Sequence, residues 1–239
     1  MNSPGSRGAG SSDGDSVRVW MTKTATYILI VAVALFGSAG TLRWSGGWLY
    51  LGLLVANQLI LGAILSRRSP AYLAGDPGAK AYVRWFDVRL AVLASSVGPL
   101  VMIIVSGLDV RYDWIGYLLP QTVVIAFALA AAGSSLTTWA MLNNPAFVAV
   151  ASSGLGRQTQ VVSSGPYAYV RHPGYLGSIV VTGATPFVLG SQWAVFAAYI
   201  IVIIILVRTF LEDRMLLSEL PGYEEYASRV RYRLLPGIW

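Results

Sequence analysis

The sequence contains no cysteine and only one histidine among its 239 residues. The absence of cysteine excludes disulfides, thiolate nucleophiles and zinc sites built on cysteine ligands. The single histidine, His172, cannot form a metal site that needs several histidine ligands. We therefore expect no bound metal, and any catalytic chemistry must use other side chains or an organic cofactor.

Charged residues are also scarce. Only 12% of the residues are charged and 55% are hydrophobic, whereas a soluble domain carries about 25% charged residues. Several uncharged segments approach or exceed the roughly 20 residues that cross a bilayer core as a helix. The composition predicts an all-α integral membrane protein. The net charge of +6 is then explained by basic residues on the cytoplasmic side, and we expect no nucleic-acid partner.

About six membrane helices are expected, at 24–42, 46–66, 90–108, 114–142, 174–189 and 193–211. No charge occurs between Pro173 and Val207, and one helix over that run would reach about 50 Å, against roughly 30 Å of hydrocarbon. The run is therefore predicted to form a hairpin that turns at "GSQW", 190–193, with Pro186 kinking its first helix. Five spans plus one re-entrant segment remain an alternative.

The positive charges predict the orientation. Apart from Arg43 and Arg111, the other 15 of 17 Lys and Arg residues lie in the N-terminal tail, the 67–89 and 143–173 loops and the C-terminal segment. These regions share one side if the hairpin crosses twice, and the positive-inside rule makes that side cytoplasmic. We expect cytoplasmic termini, a disordered tail over 1–22, four transmembrane helices over 23–142 and a C-terminal functional region over 143–239.

Two polar regions, 143–173 and 212–239, flank the hairpin and are expected to meet on one side. In the triplet Arg171-His172-Pro173, the proline suits the first position of a helix and places His172 near its N-cap. A helix start attracts anions, and Arg171 would add a bidentate donor. The alternative is an interfacial pair of side chains that reach the lipid headgroups.

Glu212 and Asp213 follow the hairpin, and Asn143 and Asn144 precede it. A carboxylate of the acidic pair could hold a cationic group of a cofactor, or the pair could be neutralised by Arg208 or Arg214. An asparagine amide could orient a substrate oxygen, or "NNPAF", 143–147, could simply end a helix. The C-terminal part is expected to form a short amphipathic helix before Pro221, a second one across 222–229, and an extended end. Arg229, Arg231 and Arg233 alternate with apolar residues there, which fits an extended segment with one polar face or a basic tail lying on anionic lipid.

These residues closely resemble a known family over about 143–239. The motifs "NNPAF", "VVSSGPYAYVRHPGYLG" and "LEDRMLLSELPGYEEYASRVRYRLLPGIW" are similar to those of the isoprenylcysteine carboxyl methyltransferases, a group of membrane methyltransferases that includes phospholipid N-methyltransferases and methanethiol S-methyltransferases. The resemblance implies an S-adenosyl-L-methionine cofactor at the cytosolic face and a lipophilic or lipidated substrate. The oligomeric state is not predicted.

The resemblance also implies roles for individual residues. The expected catalytic residues are Arg171, His172 and Asn144. The expected cofactor-binding residues are Gly165, Tyr167, His172, Tyr175, Gly177, Glu212 and Asp213. Asp213 stands where relatives usually have a longer glutamate, so Glu212 is the better candidate of the pair.

The sequence departs from the family at one place, and this departure bears on the substrate. Gln158 and Thr159 replace a Gly-His pair found in many relatives, which leaves the type of substrate open. A carboxylate acceptor needs no general base and is favoured, whereas a thiol or amine would need one, and His172 is the only candidate near neutral pH.

Two other functions remain alternatives to the methyltransferase. They are an NADPH-dependent membrane reductase of the sterol-reductase type and a non-enzymatic scaffold.

Overall fold

The computed structural model describes residues 9–68, 85–114, 118–144 and 160–239, and the regular secondary structure of these residues is entirely helical. This confirms the all-α fold class. The longer helices are α1 (Ala9–Ala39), α2 (Ser45–Arg68), α3 (Trp85–Val92), α4 (Gly98–Tyr112), α5 (Pro120–Asn143), α6 (Pro173–Leu189), α7 (Ala194–Glu219) and α8 (Tyr223–Arg229).

Five of the described segments are long and apolar enough to cross a membrane, namely Val17–Ala39, Ser45–Arg67, Arg89–Tyr112, Pro120–Asn143 and Ala194–Glu219. The sixth apolar helix, α6, has 17 residues and a length of about 25 Å at 1.5 Å per residue. It forms the predicted hairpin with α7, turning through Gly190, whose φ of +76° only glycine adopts readily. Pro186 lies inside α6, which is continuous over Pro173–Leu189.

The N-terminal region differs from the expected disordered tail. Residues 1–8 lie outside the described residues, but α1 is helical from Ala9, well before the predicted boundary at residue 22. Adding residues to an existing helix avoids the cost of nucleation, so the apolar span can extend a helix into a polar sequence. The apolar pattern marks the membrane-spanning part of α1 and does not mark where the helix begins.

The C-terminal end of α7 also differs from the prediction. A separate amphipathic helix was expected before Pro221, but α7 continues without a break to Glu219. The charged residues that follow the apolar part are good helix formers, so nothing in this stretch ends the helix. The short helix α8 then covers Tyr223–Arg229, close to the predicted range of 222–229.

A π-helical turn, Leu93–Val97, joins α3 to α4. Pro99 follows it as the second residue of α4. A proline lacks the N–H of the helical ladder, and its ring clashes with the carbonyl four residues earlier, so a locally widened turn accommodates it. The helix continues through this region and packs on α7, where a β-carbon at Gly98 would lie 2.6 Å from Ile201.

The helices α5 and α6 make the most extensive helix pair among the described residues. Two glycines allow their backbones to touch: a β-carbon at Gly177 would lie 2.6 Å from the carbonyl oxygen of Gly133, and one at Gly133 would lie 2.8 Å from that of Gly177. Small residues at crossing points commonly allow such close packing in membranes. The contact fixes the start of α6 beside the end of α5, where the candidate site lies.

The substitution Gly177→Ala tests this contact. We expect it to destabilise the protein by about 1–3 kcal/mol, because the added methyl group forces the two backbones apart. The measurement is thermal or denaturant unfolding in detergent. Gly183→Ala is the matched control on the same helix, since a β-carbon at Gly183 meets no atom within 4 Å. Equal stabilities of the two variants would contradict the proposed packing role.

Candidate active site

The segment Gly165–Ala168 forms a short 3-10 helix that packs on the end of α5. Gly165 has a φ of +59°, in the left-handed region that glycine adopts at little cost. A β-carbon there would lie 2.6 Å from Oδ1 of Asn143. Glycine therefore lets this turn approach α5 closely, which buries Tyr167 beside Asn144.

The helix α6 begins at Pro173, and His172 is its N-cap residue, as the sequence predicted. Proline is favoured in a first helical turn because its missing N–H is not needed there. Gly174 and Tyr175 in that turn line a pocket. The partial positive charge of the helix N-terminus is therefore directed at the pocket.

Asp213 is the centre of a buried polar cluster. Its Oδ1 accepts from Arg171 Nε at 2.8 Å and from the Tyr223 hydroxyl at 2.9 Å, and it lies 3.2 Å from His172 Nε2. Its Oδ2 accepts from Arg171 Nη2 at 2.9 Å and from Arg233 Nε at 2.7 Å. Asp213 has no exposed surface, so this carboxylate ties α7 to the start of α6, to α8 and to the C-terminal segment.

The C-terminal segment is attached to the start of α6 through its backbone. The N–H groups of Arg171 and His172 donate to the carbonyls of Tyr232 and Arg233, each at 2.9 Å. Arg171 Nη1 donates to the carbonyls of Val230 and Arg231, also at 2.9 Å. The segment is therefore held in place on both sides of the Asp213 cluster and does not simply lie on lipid.

A pocket lies next to this cluster. Its lining among the described residues is Asn144, Val162, Tyr167, Arg171, His172, Gly174, Tyr175, Glu212, Leu216, Tyr223 and Tyr226. The cavity volume is about 20 Å³, which is room for about one water molecule. A larger ligand must therefore displace side chains at the pocket when it binds.

Glu212 and Tyr175 are hydrogen-bonded across the pocket, with the Tyr175 hydroxyl donating to Oε2 of Glu212. The Tyr175 ring stacks on the His172 ring, with centroids 5.7 Å apart and an angle of 7° between the planes. The Arg208 guanidinium lies 5.3 Å from the centroid of the same ring. Tyr175 therefore contacts the carboxylate and the imidazole of the pocket lining, and a cation outside that lining.

Burial dominates the ionisation of the tyrosines at the site. It raises the pKa of Tyr167 to about 12, with a smaller contribution from the charge of Glu212 and an opposing hydrogen bond with Asn144. Burial, and then the negative charge of Asp213, raise the pKa of Tyr223 further. Both phenols are neutral near pH 7, so they can donate hydrogen bonds but cannot act as general bases.

The charge of Arg171 is maintained despite its burial. Desolvation opposes the charge, but the hydrogen bonds and the negative charge of Asp213 outweigh it and raise the pKa of the guanidinium. Asp213 is acceptor-only when ionised, so we assign the ring N–H of His172 to Nε2. In the neutral ring, Nδ1 is then the atom that could accept a proton.

Most predicted site residues lie at this pocket, and three do not. Asn144, Tyr167, Arg171, His172, Tyr175 and Glu212 line it. Gly165 and Gly177 lie outside the lining because they serve helix packing, and Asp213 lies outside it because the two arginines, His172 and Tyr223 enclose its carboxylate. The remainder of "NNPAF", 145–147, and the departure at Gln158 and Thr159 fall outside the described residues.

The sequence reasoning missed Tyr223 and Tyr226. Both are buried on one face of α8, and the Tyr226 hydroxyl donates to the carbonyl of Tyr167 at 2.7 Å. Their spacing of three residues places them on the same side of a helix. That spacing, just after Pro221–Gly222, is the signal that could have identified them.

The comparisons with known proteins can be set beside this geometry. Residues 121–220 match the family model described as phospholipid methyltransferase. The match indicates a membrane methyltransferase. It confirms the resemblance stated above, covers α5 through α7, and favours this activity over the reductase and the scaffold. No curated protein matches the chain.

The methyltransferase is a multi-pass membrane protein by its helices and its family match. Its pocket is formed by the end of α5, the start of α6, the end of α7 and the start of α8. These parts all fall at one end of the helical bundle. Within residues 121–220 the match includes the Arg171–His172 turn and Glu212, and the C-terminal segment that completes the polar cluster lies beyond it.

Proposed function

We propose that the chain transfers a methyl group from S-adenosyl-L-methionine to a lipophilic acceptor, with a carboxylate as the favoured acceptor group. The observation that carries the proposal is the position of Glu212, which faces the N-terminus of α6 across the pocket beside Arg171 and His172. The Glu212 carboxylate is complementary to the amino group of the cofactor's amino-acid portion, and the helix N-terminus is complementary to its carboxylate.

The donor set of the pocket fits this cofactor. Glu212 would hold the cationic amino group, and the first turn of α6 would receive the carboxylate. Tyr167, Tyr223 and Tyr226 offer apolar ring surface for the nucleoside, and the hydroxyl oxygens of Tyr223 and Tyr226, whose protons go to Asp213 and the Tyr167 carbonyl, can still accept hydrogen bonds. When bound, the cofactor supplies an activated methyl group on a sulfonium centre. The cavity volume of about 20 Å³ requires the lining side chains to move apart on binding.

The protein residues would then orient the acceptor and exclude water. Asn144 is buried at the end of α5 and lines the pocket, so its amide can orient an acceptor oxygen. Arg171 retains its charge, and although Asp213 and two backbone carbonyls take four of its five N–H donors, one N–H on Nη2 could donate to an acceptor carboxylate. A carboxylate attacks without a base, whereas an amine or thiol would give its proton to His172 Nδ1.

An apolar acceptor has a route from the bilayer. A cavity of about 240 Å³ lies between the membrane helices and is lined by Asn57, Thr137 and Ser178 among others. The Thr137 hydroxyl donates to the carbonyl of Gly174 at 3.4 Å, and Gly174 lines the pocket. The linings of the two spaces are therefore in contact, which supports the proposal that a lipid-soluble substrate enters from the membrane.

The proposal includes an orientation. The pocket end of the bundle carries Arg171, Arg208, Arg214, Arg229, Arg231 and Arg233, whereas Arg43 and Arg111 are at the other end. Basic residues collect on the cytoplasmic side of membrane proteins. We therefore infer a cytosolic pocket and cytosolic termini, which gives the water-soluble cofactor direct access to the pocket.

The test of the proposed function is incubation of the purified protein with methyl-labelled cofactor and a lipid extract, followed by identification of the labelled product. We expect a labelled lipid and cofactor binding in calorimetry that S-adenosylhomocysteine competes with and NADPH does not. A folded protein that binds no S-adenosyl-L-methionine would overturn the proposal. The chemistry of the labelled group would decide between a carboxylate, an amine and a thiol.

Leu54→Trp tests the membrane route, because Leu54 lines the intramembrane cavity and a larger ring would fill part of it. We expect kcat/KM for the lipid acceptor to fall about tenfold or more, with cofactor affinity unchanged, since only the acceptor would use this space. Leu59→Trp is the matched control on α2, where Leu59 is 62% exposed. Equal activity of the two variants would exclude this route.

A further inference from the structure

A second cleft lies at the end of the bundle opposite the pocket. It has a volume of about 710 Å³. The α1–α2 turn, the end of α4, the start of α5 and the end of α6 form it. The pocket and this cleft lie at opposite ends of α6, and its 17 residues place them about 25 Å apart at 1.5 Å per residue. The methyl-transfer chemistry does not use this cleft.

Asp109 of α4 lines the cleft and is only 3% exposed. Its Oδ2 accepts the Ser191 hydroxyl at 2.6 Å. Its Oδ1 is buried and has no hydrogen-bond partner among the described residues. A buried carboxylate oxygen without a donor is costly, because the water it gave up is not replaced. A donor that reached Oδ1 from the cleft would replace that lost water.

Ser191 cannot provide this second donor. Its one hydroxyl proton goes to Oδ2 of Asp109, and its oxygen accepts the N–H of Ala194 at 3.2 Å. Its own N–H donates to the carbonyl of Pro186 at 2.8 Å. Because Ser191 is completely buried, it also fixes the Asp109 side chain, and the second oxygen is held ready for a ligand.

The charge of the cleft favours a cation. Asp113, four residues after Asp109, is exposed and lines the same cleft. Both aspartates lie at the C-terminal end of α4, where the helix dipole adds partial negative charge. Arg43 is the only Lys or Arg in the described lining. Two carboxylates against one guanidinium leave the described lining with a formal charge of −1, while Arg111, between the two aspartates in α4, lies beside Gly40 and outside the lining.

We propose that this cleft binds a protonated amine that carries an anionic group within the same molecule. The ammonium donates to Oδ1 of Asp109 and to Asp113, and the anionic group meets Arg43 at the rim. The described residues hold no group of three or more acidic or histidine side chains placed to bind a metal ion, and hard cations take six or more oxygen ligands. A cleft of about 710 Å³ has room for a molecule with two charged groups, and a bare ion would leave most of it empty.

Such a ligand could be a lipid headgroup or a water-soluble molecule, and the experiment separates them. The full chain in detergent is titrated with phosphoethanolamine and with phosphocholine by calorimetry. In parallel, it is mixed with phosphatidylethanolamine or phosphatidylcholine and examined by native mass spectrometry. We expect the ethanolamine compound, which has N–H donors, to bind at least tenfold more tightly than the choline compound in at least one of the two experiments. If only the lipid experiment shows tighter binding of the ethanolamine compound, the ligand is a lipid headgroup. If both experiments show it, the cleft also binds the water-soluble molecule.

The substitution Asp109→Asn keeps an oxygen for Ser191 and removes the charge. We expect at least tenfold weaker binding of the amine, with Glu225→Gln as the control, since Glu225 is 78% exposed in its side chain and lies on α8 at the other end. If Asp109→Asn does not fold, Asp113→Asn is measured instead and is expected to weaken binding at least threefold. Equal binding of amine and trimethylated probes in both arms, or no binding, would overturn the proposal, independently of any methyl transfer.

Discussion

Asp213→Ala is expected to abolish methyl transfer and to lower the free energy of unfolding by about 3–5 kcal/mol. Asp213 accepts hydrogen bonds from Arg171, Arg233 and Tyr223 and contacts His172. Arg171 is 8% exposed, so the substitution leaves a guanidinium buried without its carboxylate. The loss of one partner from a buried ion pair costs more than the pair contributes, because the remaining charge cannot recover its hydration.

Unfolding in detergent and limited proteolysis would measure this effect. The C-terminal segment, held by Tyr232 and Arg233 carbonyls to the start of α6, is expected to become cleavable before the membrane helices unfold. Glu225→Gln is the control for loss of an acidic side chain, because Glu225 pairs with Arg229 at 3.9 Å on an exposed surface where such a pair contributes little. An Asp213→Ala variant as stable as Glu225→Gln would refute the structural role.

Glu212→Gln is expected to have the opposite signature: cofactor affinity about 10–100-fold weaker with an unchanged melting temperature. A hydrogen bond to a charged group contributes about 1.5–3 kcal/mol, which corresponds to this range. Glutamine keeps an oxygen that accepts the Tyr175 hydroxyl, so the fold should be preserved. Only the negative charge that faces the pocket is lost.

Calorimetric titration of S-adenosyl-L-methionine would measure this change, with Glu224→Gln as the matched control, since Glu224 is exposed on α8. The two neighbouring carboxylates are thus distinguished by two observables, affinity for Glu212 and stability for Asp213. Normal cofactor affinity in Glu212→Gln would show that Glu212 does not hold the amino group, while leaving the fold assignment intact.

The sequence predicted most of the site because its signals are local. A proline after His172, at the start of a long uncharged run, marks the beginning of α6. The hairpin consists of two helices that run in opposite directions, so their lengths alone place Glu212 and Asp213 at the same end of the bundle as His172. Both inferences need only the rise per residue and the thickness of the bilayer.

The resemblance favoured Glu212 over Asp213 as the cofactor contact, but the buried structural role of Asp213 was not predictable in the same way. Neighbouring residues on a helix point about 100° apart, so only one of Glu212 and Asp213 can face the pocket. The choice depends on Arg233, which lies 20 residues later and binds Asp213. No local pattern shows which carboxylate it reaches, and the shorter aspartate is the one that suits the enclosed position.

The helix boundaries, too, were predicted where the signal is local and missed where it is not. The apolar runs identify the membrane spans, but α1 and α7 extend beyond them into polar sequence. Likewise, Tyr223 and Tyr226 become site residues because α8 packs against the end of α7 and the turn that contains Tyr167. Such tertiary contacts depend on the arrangement of several elements, which periodicity within one segment does not contain.

The attachment of the C-terminal segment has a consequence for biosynthesis. Arg171, Asp213 and Arg233 come from three separated stretches of the chain, and the last of them is made after α6 and α7. Arg233 lies only 20 residues after Asp213, so the buried cluster can close only after the C-terminal segment has been made. A chain that stopped before Arg233 would therefore leave Asp213 with Arg171 but without its second arginine, and the buried cluster would be incomplete although every membrane helix was present.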